Sequence, residues 1–217
     1  MFSTRNFSLE DLLINHVPVR YAEDGRFLGV FFDNKLIFSN HVTHISSKLS
    51  KTVGIMYKIG KNIPLSVRIN LYYALFYPYL IYCNLIWGGA AKTNLNPIVL
   101  LQKKIVRIIC GADYLAHTNI LFFQTKILKF FDVHTFLLCL YFHKNANDFT
   151  SQSHNYSTRN RDNFVPAFQR LNLTQRSLYY AAPNAWNALP PYLKSIPKYG
   201  LFKSKLKEYL VQKYNPD

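Results

Sequence analysis

The apolar positions of this chain recur mostly at intervals of three and four. Over residues 41–60, Val42, Ile45, Leu49, Val53, Met56 and Ile59 line one side of a helix turning about 100° per residue. Lys48, Lys51, Lys58 and Lys61 fall on the opposite arc, and Gly60 suits the helix end. A second helix opens at Pro64, with Arg68 one turn in, and runs into an aromatic stretch over residues 71–82 that Pro78 should kink or divide. Tyr72, Tyr73, Phe76, Tyr77, Tyr79 and Tyr82 in that stretch read as a core with phenol groups at its edge, with stacking on bases as the alternative. A third helix is predicted over residues 94–110 and stopped by Gly111. Its Ile98, Val99, Ile105, Val106 and Ile109 share one arc, and Lys103, Lys104 and Arg107 another. A fourth spans roughly residues 129–147. A last, over 201–214, sets Leu201, Phe202, Leu206 and Leu210 on one face and Lys203, Lys207 and Lys213 elsewhere.

Strand signals are confined to the N-terminal part. Val30, Phe31 and Phe32 follow Gly29 and are bounded by Gly25 and Asp33-Asn34, which reads as a strand. Residues 17–21 read as extended, Glu23-Asp24-Gly25 as the turn of a hairpin leading into Phe27, and Asn34-Lys35 as the turn before a helix that Ser39 or Asn40 could cap. A glycine inside a strand marks a bulge or a close approach by another group, and Gly29 is read so. Residues 1–4 read as the tail of a strand, and Ser8 with Asp11 as a short capping box. Residues 150–161 are polar and read as a linker. Beyond it, 162–217 reads as a separate small unit, made irregular by Pro183, Pro190, Pro191 and Pro197 and anchored by Trp186 and Leu189. The expected fold is mainly α with a small N-terminal β-hairpin remnant, divided into a β part (1–38), a helical bundle (39–149), the linker and a C-terminal unit ending in a helix.

Charge changes this picture. The 217 residues carry a net charge of +15, with 49% hydrophobic and 16% aromatic residues, so a packed core is available and general disorder is excluded. Residues 34–112 contain ten Lys and Arg and no Asp or Glu, whereas residues 1–33 hold three basic and five acidic side chains. A segment charged with one sign over such a length repels itself unless a polyanion neutralises it, which favours nucleic acid or an anionic surface as partner. Lys103, Lys104 and Arg107 form the best single surface for gripping phosphates without reading sequence.

Chemistry-bearing motifs are scarce. Cys83, Cys110 and Cys139 are too widely spaced for a zinc site or a disulfide framework and sit in apolar runs, which implies a reducing compartment. Cys139 and His143 are four apart on one helix, but no third and fourth ligand follows, so they read as core residues, as do His41 and His44. Residues 1–20 lack a signal-peptide core, and the apolar run at 71–87, interrupted by Pro78 and Asn84, falls short of the ~20 residues a membrane span needs. An intracellular setting, nucleus or cytoplasm, is expected. No glycine-rich phosphate loop, nucleophilic triad or HExxH helix is present.

Phe27-Leu28-Gly29-Val30-Phe31-Phe32-Asp33, then Leu36-Ile37-Phe38, His41-Val42 and Ile45 through Lys48-Leu49, resembles the strand-to-thumb junction of non-LTR retrotransposon reverse transcriptases. Further along, Leu71-Tyr72-Tyr73, Tyr77-Pro78, Tyr82, Trp87-Gly88, Leu101-Gln102-Lys103-Lys104 and Arg107-Ile108-Ile109 look like that family's thumb. Tyr156-Ser157-Thr158-Arg159, Gln175-Arg176-Ser177 and Trp186-Asn187-Ala188-Leu189-Pro190 are similar to the ending of its reading frames. The resemblance implies that Phe27, Leu28, Gly29 and Val30 sit where a primer grip would be, that residues 39–149 are thumb-like, and that Lys48, Lys51, Lys58, Lys61, Arg68, Lys103, Lys104 and Arg107 track a nucleic-acid backbone.

Polymerase chemistry needs carboxylates converging on two metal ions. The family's aromatic-x-Asp-Asp turn is absent from these residues, and Glu10-Asp11 and Glu23-Asp24 do not replace it. The chain is therefore expected to carry no cofactor, Mg²⁺ belonging to a palm it lacks, and not to polymerise alone. Expected partners are RNA or DNA backbone and an intact reverse transcriptase copy, with no membrane span. The alternative is a non-enzymatic basic helical module, a repurposed fragment that binds nucleic acid or protein. A peripheral membrane protein is a third reading.

Overall fold

The computed structural model describes residues 13–18, 22–149, 163–166 and 169–215. Expectations for residues 1–4, for the capping box at Ser8 and Asp11, for residues 19–21 and for the linker at 150–161 lie outside them. The described chain is mainly helical, with short antiparallel hairpins at its N-terminal end.

The first hairpin pairs β1 (Leu13–Ile14) with β2 (Val17–Pro18), and the second pairs β3 (Asp24–Phe27) with β4 (Val30–Asp33). The second differs from expectation in where it reverses. Gly25 lies inside β3, opposite Phe32, and the turn is Leu28-Gly29, with φ of 45° and 81°. A two-residue loop with the twist of its strands needs both central residues in the left-handed region, and glycine takes the second place without strain. Gly29 is thus a turn residue rather than a strand bulge. The close approach read from it does occur: a methyl group there would lie 3.6 Å from the Tyr82 ring.

Helix α1 (Ser39–Ile59) begins without a side-chain cap. Neither Ser39 nor Asn40 caps it, because Asp33 organises the entry instead. Its carboxylate accepts the backbone N–H groups of Lys35, Ile37 and Phe38 at 3.1, 2.9 and 2.6 Å. These bonds hold Leu36 and Phe38 at positive φ, a conformation that costs about 1 kcal/mol or more per residue outside glycine. Asn40 ties the helix to the hairpin through Asp24, at 3.0 Å.

After a 3₁₀ turn at Gly60–Asn62, the chain returns along α1 as α2 (Leu65–Leu71), a π-helical segment (Tyr72–Phe76) and α3 (Tyr77–Ile81). The π segment is the structural answer to Pro78, which lacks an N–H and collides with the preceding turn of a regular helix. It also points Tyr72 and Phe76 into the core, stacked at 5.3 Å. The short α4 (Asn84–Trp87) leads to α5 (Lys92–Cys110), which ends at Gly111 with φ 65°. Asn94 donates to the Ile37 carbonyl before α1, and Ile108 lies against Gly60 after it, so α1 and α5 run parallel. Buried Gln102 joins the layers: its amide donates to the Tyr72 hydroxyl and the Leu128 carbonyl and accepts from the Phe130 N–H, at 2.8–3.0 Å.

Helices α6 (Thr118–Thr125) and α7 (Phe130–Lys144) follow, then α8 (Asn172–Gln175), α9 (Leu178–Asn187), α10 (Pro191–Lys194) and α11 (Tyr199–Gln212). The C-terminal segment, expected as a unit by itself, shares one continuous core with the helices before it. Trp186 stacks on Phe142 at 4.9 Å, and Phe202 on His143 at 4.4 Å. The Tyr214 hydroxyl donates to Asp132 at 2.5 Å while accepting the Lys129 N–H. Trp186 and Leu189 are buried anchors, as expected, but Leu201 is exposed.

Candidate nucleic-acid interface

The hairpin tip is held from below. The Tyr82 hydroxyl donates to the Leu28 carbonyl at 2.6 Å, and the Tyr82 carbonyl accepts the Trp87 indole N–H at 2.8 Å. Trp87, fully buried, is edge-on to His41 and stacked on Phe130. The tip is thereby fixed to the core through one tyrosine. Of the residues expected at a primer grip, Phe27 and Leu28 are 68% and 71% exposed and Val30 is 1% exposed. Phe27, Leu28 and Gly29 therefore present a surface, while Val30 anchors it.

The cations divide into two kinds. Lys48, Lys51 and Lys58 project from the outer face of α1, with Lys61 just beyond it, and all are exposed. Lys104 is exposed on α5 and Lys103 half-buried beside it. None of these is in an ion pair; among the described residues the one salt bridge is Lys205–Glu208, on the surface of α11. Arg68 and Arg107 are spent internally. Arg68 donates to the Ile108 carbonyl at 3.2 Å and so caps the C-terminal end of α5, where a cation also suits the helix dipole. Arg107 donates through Nε to the Ala116 carbonyl at 3.0 Å, with its guanidinium 6.0 Å from the Tyr114 ring. The structure brings Lys103, Lys104 and Arg107 onto one side of α5 and keeps Lys48, Lys51 and Lys58 on α1. Lys129 lies near Lys103 but sits over the Tyr214 ring at 4.0 Å, so it has an internal partner that the lysines of α1 lack. Burial lowers its pKa, and the nearby Lys103 charge adds to this against the opposing Asp132.

The histidines are structural. His41 is buried against the hairpin, its Nδ1 accepting the Phe31 N–H at 3.4 Å; burial, then the His44 charge, pulls its pKa down to about 4. His134 is also lowered to about 4 by burial. Its Nδ1 donates to the Asn84 side-chain oxygen at 2.8 Å, since the Asn84 nitrogen is already committed to the Leu80 carbonyl. That pair explains Trp87-Gly88: a methyl on Gly88 would sit 2.5–2.6 Å from Asn84 and His134 atoms. Cys139 is buried, which pushes its thiol up to about 12, and His143 donates from Nε2 to the Ile196 carbonyl, so the pair is core. Of the aromatic stretch, Tyr72 and Phe76 are core while Tyr79 and Tyr82 are exposed.

Two-metal phosphoryl transfer requires converging carboxylates. Among the described residues no group of three or more His, Cys, Asp or Glu could hold a metal ion. The donor set does not fit a polymerase magnesium site, and no catalytic step is assigned to it. No described helix is long and apolar enough to cross a membrane.

What the fold and its surfaces define is a basic helical module with an attached hairpin. Its homologues are non-LTR retrotransposon RNA-directed DNA polymerases. The chain is 31% identical over 134 residues to the RNA-directed DNA polymerase from mobile element jockey of Drosophila melanogaster, covering 60% of this chain and 15% of that protein. It is 26% identical over 172 residues to the probable RNA-directed DNA polymerase from transposon X-element of the same species, covering 78% and 18%. The jockey polymerase of Drosophila funebris is 28% identical over 123 residues, covering 55% and 13%. The chain thus spans less than a fifth of the length of these relatives. No family model matches it. No solved structure matches it. All three likenesses are to RNA-directed DNA polymerases of mobile elements.

Proposed function

We propose that this chain is a non-catalytic, thumb-like part of a retrotransposon polymerase that holds a primer–template by its backbone. The observation that carries the reading is the set of lysines on α1 and α5 that have no carboxylate to pair with, in a chain whose homologues are RNA-directed DNA polymerases. Lys48, Lys51, Lys58, Lys61, Lys103 and Lys104 would contact phosphates, and Phe27, Leu28 and Gly29 would lie beside the primer end. Arg68 and Arg107 would act by holding the C-terminal end of α5 and the loop after it. Catalysis would need carboxylates from elsewhere, with an intact polymerase copy as the partner able to supply them. The setting is the nucleus or cytoplasm, where such templates are found.

Binding to a primed RNA–DNA duplex measured against salt tests this. If about six phosphates are neutralised, log affinity falls with log salt at a slope of about −5. Lys103→Glu with Lys104→Glu should abolish binding while leaving the melting transition in place, and is a cleaner test than any change at Arg107, which also holds a loop. Unchanged affinity in that variant, or preference for liposomes over the duplex, would sink the reading.

A further inference from the structure

The loop after α5 displays two apolar side chains that the core does not use. Tyr114 and Leu115 are 78% and 85% exposed, the highest values among the exposed large hydrophobic residues. They are the central pair of a β-turn over residues 113–116, closed by the Ala116 N–H donating to the Asp113 carbonyl at 3.0 Å. Turn centres usually carry Gly, Asn, Asp, Ser or Pro, each for a conformational reason, and an aromatic beside a leucine satisfies none of them. The turn is nevertheless fixed. Arg107 donates to the Ala116 carbonyl, its own carbonyl accepts the Ala112 N–H at 3.0 Å, and its guanidinium lies 6.0 Å from the Tyr114 ring. A fixed turn therefore presents an exposed ring beside a cation at the end of α5. Lys103 and Lys104 lie about one helical turn, some 5.4 Å of axis, before Arg107. Asp113 is the one carboxylate in the turn, and it forms no salt bridge with Arg107.

Aromatic rings beside cations are how proteins hold nucleic acid without reading its sequence, because every base has a stacking face. We propose that Tyr114 stacks on an unpaired nucleobase of a strand whose phosphates lie on Lys103 and Lys104, with Leu115 packing against the same base or its sugar. The proposal rests on the reading of α5 as a backbone-binding surface and adds a base-contacting tip to it. The occupant is nucleic acid rather than a bilayer or a protein, because the tip adds an aromatic face to a surface of α5 cations that form no salt bridge. Arg107 is a positioning residue here: it sets the turn that presents the ring.

The test is fluorescence anisotropy with the full chain and a labelled single strand of roughly 12 nucleotides, a usual site size, beside an otherwise identical strand carrying abasic positions. Tyr114→Ala should weaken binding to the normal strand about 5- to 150-fold, the range of one base–aromatic stack, with the salt slope unchanged. Tyr114→Phe should restore it, and on the abasic strand the two variants should be equal. A Tyr114→Trp reporter should be quenched by the normal strand and not by the abasic one, against a background of buried Trp87 and Trp186. The side chain is exposed, so a thermal melt should report the same stability in all three.

Equal binding of Tyr114→Ala and wild type, with Lys103→Gln and Lys104→Gln still weakening it, would overturn the stacking proposal and leave the backbone reading intact. Equal losses on normal and abasic strands would also overturn it, as would loss of binding to anionic vesicles alone. No binding of either strand by the wild type would also overturn the stacking proposal, whereas the backbone reading falls only if the primed duplex is not bound either.

Discussion

Lysines on α1 and α5 and lysines of the C-terminal half meet different fates in this molecule, and the contrast separates the proposed binding surface from the scaffold. On α1 and the outer side of α5, Lys48, Lys51, Lys58 and Lys104 reach into solvent with no acid in range. In the C-terminal half, Lys129, Lys207 and Lys213 lie over the rings of Tyr214, Tyr73 and Tyr209 at 4.0, 5.2 and 4.4 Å. Lys207 also donates to the Tyr73 hydroxyl at 3.2 Å. With 26 basic and 11 acidic residues in the chain, carboxylates cannot serve every cation. Aromatic faces take their place where the chain packs, each worth about 0.5–2 kcal/mol depending on desolvation. The lesson is that net charge alone does not locate a binding surface. What separates the two sets of lysines is whether a side chain of the protein meets them.

The sharpest break of this contrast is in the scaffold. Phe202→Ala removes a fully buried ring that stacks on His143 and contacts Trp186, and should cost about 3–5 kcal/mol in urea unfolding with little change in the intrinsic affinity of the folded fraction for nucleic acid. Acid should act next. His41 and His134 have folded pKa values near 4 against about 6.5 unfolded, so the unfolded chain takes up protons that the folded one refuses. The stability tied to their neutral rings is whole above pH 6.5 and drains as pH falls toward 4, by up to about 3 kcal/mol for each histidine. A denaturation series across that window should show the loss, and His134→Gln should shrink it. A flat profile would mean that the rings are already charged or exposed.

Smaller effects separate the two kinds of lysine directly. Lys207→Met should lose about 1 kcal/mol of stability and leave nucleic-acid affinity and its salt slope alone. Lys51→Gln should do the opposite: stability unchanged to within about 0.5 kcal/mol, and a salt slope shallower by about 1. If both substitutions behaved alike, the division between scaffold and surface cations would be wrong.

Much of this architecture was legible along the chain. The buried stripe Val42, Ile45, Leu49, Val53 and Met56, the helix stop at Gly111 and the anchors Trp186 and Leu189 all follow from period and residue type. The hairpin existed as expected but reversed at the wrong residues, because Glu23-Asp24-Gly25 and Leu28-Gly29 are both plausible turns and strand register chooses between them. That register buries Val30, and what it buries against is α1. Arg68 and Arg107 were placed among the phosphate contacts because a helical wheel reports only which way a side chain leaves its own helix. The carbonyls that receive them belong to α5 and to the loop beyond it.

By itself the sequence determined the helices of clear period near 41–60, 94–110, 129–147 and 201–214, though not α6 or α9, together with the absence of acid between residues 34 and 112 and a resemblance that the similar proteins then supported. These are properties of residue type and near-neighbour spacing, and they need no knowledge of where distant segments lie. Only the tertiary structure decided which cations remain unpaired, that Tyr82 holds the hairpin tip 54 residues away, and that the C-terminal helices complete the same core. Each of these depends on contacts between segments far apart in the chain, and their partners are chosen by packing rather than by local pattern.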